Sequence, residues 1–118
     1  MTIAIERSAW SGYLKDFNHR NAGRTTRMEV FGEMGAQPTE HDLAFNGIAL
    51  EEHGHDAPKL EIMLGTDTRH LTHNITNVTQ LTPKQSADGS DETLEIQDAS
   101  GNRTLLSFTA HALLSAAV

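Results

Sequence analysis

The spacing of apolar residues changes once along this chain, from the period of a helix to the period of a strand. An apolar stripe with i, i+3, i+4, i+7 spacing comes first and predicts an amphipathic helix over about residues 8–20. Ser8 is suited to cap its start, and Asn21 with Gly23 is suited to end it. The stripe consists of Trp10, Tyr13, Leu14 and Phe17.

After Gly23, short runs of alternating apolar and polar residues are typical of strands with one buried face. The clearest run is 60–64, where Leu60, Ile62 and Leu64 alternate with Glu61 and Met63. Together the runs predict strands at about 25–33, 43–50, 59–64, 70–81, 92–98 and 103–109. The dipeptide Asn46-Gly47 within the second run is equally compatible with a hairpin turn and with a bulge.

The connections between these runs are short, and this decides the direction of the strands. A parallel return needs a crossover of a dozen or more residues, so neighbours in sequence should be antiparallel. We therefore predict an α+β fold over a single domain, 1–118. In this fold a meander of five or six strands, curled or partly barrel-like, carries the N-terminal amphipathic helix on its open face. The apolar segment 110–118 is interpreted as a docked tail or helix.

Composition excludes several kinds of site and partner. The chain has no cysteine, which rules out disulfides, thiolate metal sites and cysteine nucleophiles and fits a cytoplasmic location. With 16 acidic and 9 basic residues the net charge is −7, and no stretch concentrates cations. Arg20, Arg24 and Arg27 form the densest basic group, interpreted as solvated cations near a helix C-terminus. Nucleic acids, membranes and anionic lipid surfaces are therefore not expected partners.

A series of short motifs lies between about Trp10 and Phe108: Trp10, Phe17, Glu29, Gly35-Ala36-Gln37, Gly47-Ile48, Leu60-Glu61-Ile62, Leu64-Gly65, His70-Leu71-Thr72-His73, Leu94-Glu95-Ile96, Gly101 and Thr104-Leu105-Leu106. This series resembles an uncharacterised family of small single-domain bacterial proteins, a domain of unknown function. The resemblance implies a fold type and a bacterial source, and it implies no activity. A proline that often follows the second histidine in that family is missing here, which predicts a longer strand.

Seven histidines raise the question of a metal site. If the second and third strands pair, His41 falls near the turn that holds Asp67 and His70, at one end of the sheet. Imidazole and carboxylate side chains together can bind a metal or act as a general base. The metal-ligand hypothesis is therefore His41, Asp67, His70 and His73, although residues 70 and 73 of a regular strand point to opposite faces.

A second histidine pair, His53 and His55, lies in an acidic stretch with Gly54 and Pro58, which predicts an exposed loop. At ~3.3 Å per residue this pair should lie on the order of 20–30 Å from His70 and His73. One site that contains all four histidines is therefore not expected.

The remaining motifs name no reaction. The chain has no phosphate-binding glycine loop and no Gly-x-Ser-x-Gly nucleophile motif, and no cofactor is expected. The sequence favours a non-catalytic binding or protein-interaction module, including a homodimer, over an enzyme, because an open edge strand readily pairs with another chain. The alternative is a small metal-binding protein or enzyme that uses the His/Asp cluster. Acid sensing by histidines near an open edge is a third hypothesis.

Overall fold

The structure, a computed structural model, describes residues 3–32 and 35–109, with the backbone alone for residues 36–41. A single 3₁₀ turn, Arg7–Ala9, precedes helix α1, Trp10–Asn21. None of the helices in these ranges is long and apolar enough to cross a bilayer. The interpreted tail at 110–118 lies outside the described residues. The strands are β1 (Thr25–Gly32), β2 (Gly35–Glu51), β3 (Lys59–Gly65), β4 (His70–Ile75), β5 (Val78–Gln85), β6 (Asp91–Asp98) and β7 (Arg103–Phe108).

The described sheet has seven strands, so the prediction of five or six was wrong. The difference arises in the segment 70–81, which was expected to be one strand and is broken at Thr76–Asn77. Asn77 has a φ of 52°, a left-handed conformation that asparagine tolerates better than most residues. Its N–H donates to the carbonyl of Asp56 at 2.9 Å, and the N–H of Val78 donates to the carbonyl of Pro58 at 2.9 Å. The β2–β3 loop thus holds the break in place.

The strands lie in the order β4-β3-β2-β1-β7-β6-β5, and all neighbours are antiparallel. The predicted α+β class, the antiparallel sheet and the N-terminal helix are therefore confirmed. Two meanders, β1–β4 and β5–β7, are joined because β7 returns to pair with β1. The edge strands β4 and β5 are only two residues apart in the chain, so the sheet has to curl until its two edges lie close together. They do not pair with each other, and the sheet is not closed.

A bulge in β2 allows this long strand to serve both parts of the sheet. Phe45 and Gly47 face consecutive residues of β3, so Asn46 is the extra residue. The first half of β2 pairs with β1, and the second half pairs with β3. From α1, the Asn18 amide donates to the Ile48 carbonyl and accepts from the Ile48 N–H, at 2.9 and 2.8 Å. Asn46-Gly47 is therefore a bulge and not a hairpin turn.

The core lies between α1 and the inner face of the sheet. The helix buries Trp10, Leu14 and Phe17 of the apolar stripe, and Tyr13 is half-buried. Phe17 packs edge-on against Phe45, with ring centroids 5.5 Å apart. Apolar residues of β1 to β7 join these side chains in one cluster. Burial of this cluster supplies the main driving force for folding.

The start of α1 differs from the prediction. Ala9 occupies the capping position and makes no side-chain capping bond, while Ser8 lies inside the preceding 3₁₀ turn. The ring nitrogen of Trp10 instead donates to the carbonyl of Ile5 at 3.0 Å. The helix entry is therefore fixed by the N-terminal segment.

A buried carboxylate ties the C-terminal end of α1 to the sheet. Asp91, the first residue of β6, is 4% exposed and accepts two hydrogen bonds from Arg20, at 2.9 and 3.2 Å, and one from Asn21 at 2.8 Å. The Arg24 guanidinium donates to the Asp91 carbonyl at 2.8 Å. The interpretation of Arg20 and Arg24 as solvated cations was therefore incomplete: Arg20 is 42% exposed but pairs with the Asp91 carboxylate, and Arg24 binds the Asp91 backbone carbonyl.

The environment of Asp91 lowers its own pKa and raises the pKa of the neighbouring Tyr13. Burial alone would raise the pKa of Asp91, but hydrogen bonds from Arg20 and Asn21 and the two guanidinium charges lower it below its usual value. Burial, followed by the charge of Asp91, raises the pKa of Tyr13 to about 12. No described residue makes a hydrogen bond to the buried Tyr13 hydroxyl. Asp91 therefore stays ionised and Tyr13 stays neutral at physiological pH.

We expect Asp91→Asn to lower the free energy of unfolding by about 2–3 kcal/mol, because Arg20 would lose a charged, largely buried partner. Urea denaturation followed by circular dichroism measures this change. Glu92→Gln is the matched control: its pair with Lys84 is exposed, and the expected change is below about 0.5 kcal/mol. Equal effects of the two substitutions would contradict a role for Asp91 in holding the helix.

Candidate functional site

The free side of β4 carries backbone groups that no described residue binds. The Thr66 N–H donates to the Arg69 carbonyl at 2.7 Å, which makes residues 66 and 69 a hydrogen-bonded pair of the β3–β4 hairpin. Hydrogen-bonded and non-bonded pairs alternate along an antiparallel ladder. With Gly65 opposite His70, the N–H and C=O groups of residues 70, 72 and 74 must point away from β3. In the described parts of the chain nothing pairs with them.

The side chains of β4 alternate between the two faces of the sheet. His70, Thr72 and Asn74 are exposed on the outer face, whereas Leu71, His73 and Ile75 are half-buried or buried on the inner face. His70 and His73 therefore lie on opposite faces of the sheet, because residues three apart on a strand point to opposite sides. The outer face thus presents polar side chains beside backbone groups that no described residue binds.

An outer-face depression of about 640 Å³ lies next to this edge. Its walls include Asn46 of the β2 bulge, Met63 of β3, and Asp67, His70 and Thr72 of the hairpin and β4. The Asn46 amide donates to the Gly65 carbonyl at 2.7 Å and thereby links the bulge to the hairpin. The residues that line the depression therefore include apolar side chains, a carboxylate and an imidazole.

The four residues of the metal-ligand hypothesis do not all lie at one described site. Asp67 and His70 line the same depression, and His73 is on the other face of β4. His41 is opposite Arg27 in the β1–β2 ladder, and its side chain lies outside the described residues. Among described residues no three His, Asp or Glu side chains are grouped to hold a metal. The metal site stays a prediction.

His73 is half-buried on the inner face of β4. Burial on the inner face of β4, opposite Ile62, lowers the pKa of His73 from its usual value. The folded state thus disfavours the imidazolium. His53 and His55 are exposed in the β2–β3 loop, where the sequence placed them.

The other edge of the sheet, β5, is protected. The N–H of Ile5 donates to the Leu81 carbonyl at 2.8 Å, so Leu81 directs its backbone groups toward the open side. Pro83 lies two residues further along β5, so its backbone nitrogen points to the same open side as the backbone groups of Leu81. This nitrogen carries no hydrogen and cannot donate a hydrogen bond. Proline and a covering segment are devices that keep an edge strand from pairing. The two edges therefore differ: β5 is partly covered and carries a proline, whereas no described residue covers the outer side of β4.

Sequence reasoning missed two parts of this site. Asn46 and Met63 line the depression, but Asn46 was considered only as a turn or bulge signal and Met63 only as part of the alternation in the run 60–64. Their proximity depends on the register of β2 against β3. The alternation in β4 could have identified His70 and Thr72 as outer-face neighbours, because it is a local pattern.

Comparison with known proteins gives a family and no activity. The sequence model of a family of unknown function, DUF5335, matches residues 1–116. No curated protein and no solved structure matches the chain.

We expect Gly65→Ala to distort the β3–β4 hairpin. Gly65 has a φ of 99°, and an added Cβ would collide with the Arg69 carbonyl oxygen and crowd the His70 Cα. Gly89→Ala is the matched control, because φ there is 88° and nothing lies within 4 Å of the added atom. Both variants should lose about 1–2 kcal/mol for the backbone conformation, and Gly65→Ala should lose about 1–3 kcal/mol more. Equal urea midpoints would contradict the crowding at Gly65.

We expect His73→Gln to weaken the loss of stability in mild acid. Because the folded state holds the pKa of His73 below its unfolded value, the unfolded chain takes up the proton first. The stability contribution of neutral His73 is therefore complete above the unfolded pKa of about 6.5 and falls as pH drops below it. Thermal unfolding across this range measures the effect. A wild-type slope in His73→Gln would refute the assignment.

Proposed function

The chain belongs to the DUF5335 family of unknown function, and we propose that it is a non-catalytic protein-interaction module. In this proposal an extended segment of another polypeptide chain pairs along the edge of β4 that no described residue covers. The difference between the edges carries the proposal: β5 has a bound carbonyl and a proline, while β4 has neither among its described contacts. The lack of cysteine suits such a module to a bacterial cytoplasm.

An added strand would form inter-strand hydrogen bonds with the outward backbone groups of β4, like the bonds between neighbouring strands elsewhere in the sheet. The outward N–H and C=O groups of His70, Thr72 and Asn74 would pair with every second residue of the incoming segment. Main-chain hydrogen bonds supply affinity in this mode, and side-chain contacts supply specificity. No catalytic group is needed for this activity.

The outer-face depression would supply the side-chain contacts. Alternate side chains of an added strand project on the same face as His70 and Thr72, both of which line the depression. Asp67 offers a carboxylate acceptor to a hydrogen-bond donor of the added segment. Met63 offers a half-buried apolar contact beside them.

A metal-dependent function has one observation in its favour, since Asp67 and His70 line the same depression. Zinc sites use three or four protein ligands, and His73 on the opposite face of β4 does not add a third. Strand addition therefore explains more of the described surface than metal binding does.

We expect Thr72→Pro to abolish strand addition without unfolding the protein. The Thr72 N–H points away from β3, so its loss breaks no ladder bond, and Pro83 already occupies such a position on β5. Extended peptides selected from a display library should bind Thr72→Pro at least about tenfold more weakly than wild type, from one lost hydrogen bond and the ring's bulk. Thr72→Ala is the control and should bind within about threefold of wild type.

Amide hydrogen exchange of His70, Thr72 and Asn74, measured by NMR, reports whether the edge is covered. Protection by a bound peptide, or in the protein alone, supports strand addition. Peptides that leave these amides unprotected, or that bind Thr72→Pro as tightly as wild type, contradict it. A library without binders, together with unprotected amides in the free protein, contradicts it as well.

A further inference from the structure

We infer that the strand added to β4 is β4 of a second copy of this chain, in antiparallel register with Thr72 opposite Thr72 of the partner subunit. This inference rests on the proposed function of the edge and names its occupant. The hydrogen-bonding pattern, the side chains of β4 and the blocked second edge each support it independently.

The backbone of β4 is complementary to itself about Thr72. A two-fold axis at this residue places His70 opposite Asn74 of the partner subunit and the reverse, so all outward-pointing residues form bonded pairs. An axis at Leu71 or His73 would still match outward groups, but it would leave one outward residue of each copy unpaired. The Thr72-centred register thus makes the most hydrogen bonds.

The side chains of β4 also tolerate this pairing. The central contact joins two threonines, which is a favourable cross-strand pair on the exposed face. On the inner face Leu71 would lie opposite His73 of the partner subunit, so an apolar side chain would cover a half-buried imidazole. β4 contains no Asp, Glu, Lys or Arg, although the whole chain carries a net charge of −7. The edge therefore lacks the charges with which edge strands commonly prevent self-association.

The blocked β5 edge sets the size of the assembly. A protein with two open edges would add copies without limit and form a ribbon. Here the bond from Ile5 to Leu81 and the missing N–H of Pro83 hinder pairing at β5. Pairing of β4 with its own copy is isologous and closes after two subunits. The arrangement of edges thus predicts a dimer instead of a fibre.

Light scattering coupled to gel filtration tests the inference over a wide range of protein concentration. Wild type and Thr72→Ala should be dimers, and Thr72→Pro should be a folded monomer. A wild type that stays monomeric overturns the inference, as does a Thr72→Pro variant that still dimerises. Neither result removes the proposed function if selected peptides protect the β4 amides and fail to bind Thr72→Pro.

A single engineered thiol tests the register. The chain has no native cysteine, so Thr72→Cys gives each copy one thiol. Directly opposed residues of a bonded pair have Cα atoms about 5.5 Å apart, within the range that a disulfide spans. Under mild oxidation this variant should cross-link at least about tenfold faster than the exposed control Ser100→Cys, because dimerisation raises the local thiol concentration. Equal rates in a protein that dimerises would overturn the Thr72 register.

Discussion

The pairing of β1 with β7 is the contact on which the rest of the sheet depends. It joins two locally folded meanders and places β1 in the middle of seven strands. Because the chain runs from β4 into β5 through two residues, the same pairing makes these two strands the edges. The asymmetry between the edges, which carries the proposed function, is thus a consequence of one contact between distant parts of the sequence.

The polar interactions at the helix complement this pairing. Asp91 begins β6, and its bonds to Arg20 and Asn21 hold the end of α1 beside the sheet. At the bulge of β2, Asn18 binds both backbone groups of Ile48. These contacts are directional, so they fix where the helix lies, while the apolar cluster supplies the larger part of the stabilisation. The helix covers the core and leaves the β4 edge free of described contacts.

The histidines illustrate how secondary structure decides which residues can act together. A His-x-x-His spacing would bring both imidazoles to one face of a helix, but in β4 it puts His70 outside and His73 inside. His70 therefore joins Asp67 at the depression, and His73 becomes a half-buried group whose pKa is lowered by burial. The same alternation directs the N–H and C=O groups of residues 70, 72 and 74 toward the edge, where we infer that a second copy binds.

Local patterns in the sequence determined the helix stripe, the alternation within strands such as 60–64, the antiparallel connections and the opposite orientation of His70 and His73. These features depend on residues a few positions apart, so periodicity reveals them. The tertiary structure alone decided the β1–β7 pairing, the break at Asn77, the bulge at Asn46 and the binding of Asp91 by Arg20. Each of these depends on groups from distant segments: the Asp56 carbonyl holds the break, and Asn18 holds the bulge. Since no local spacing encodes such partners, only the folded chain shows which edge the described residues leave uncovered.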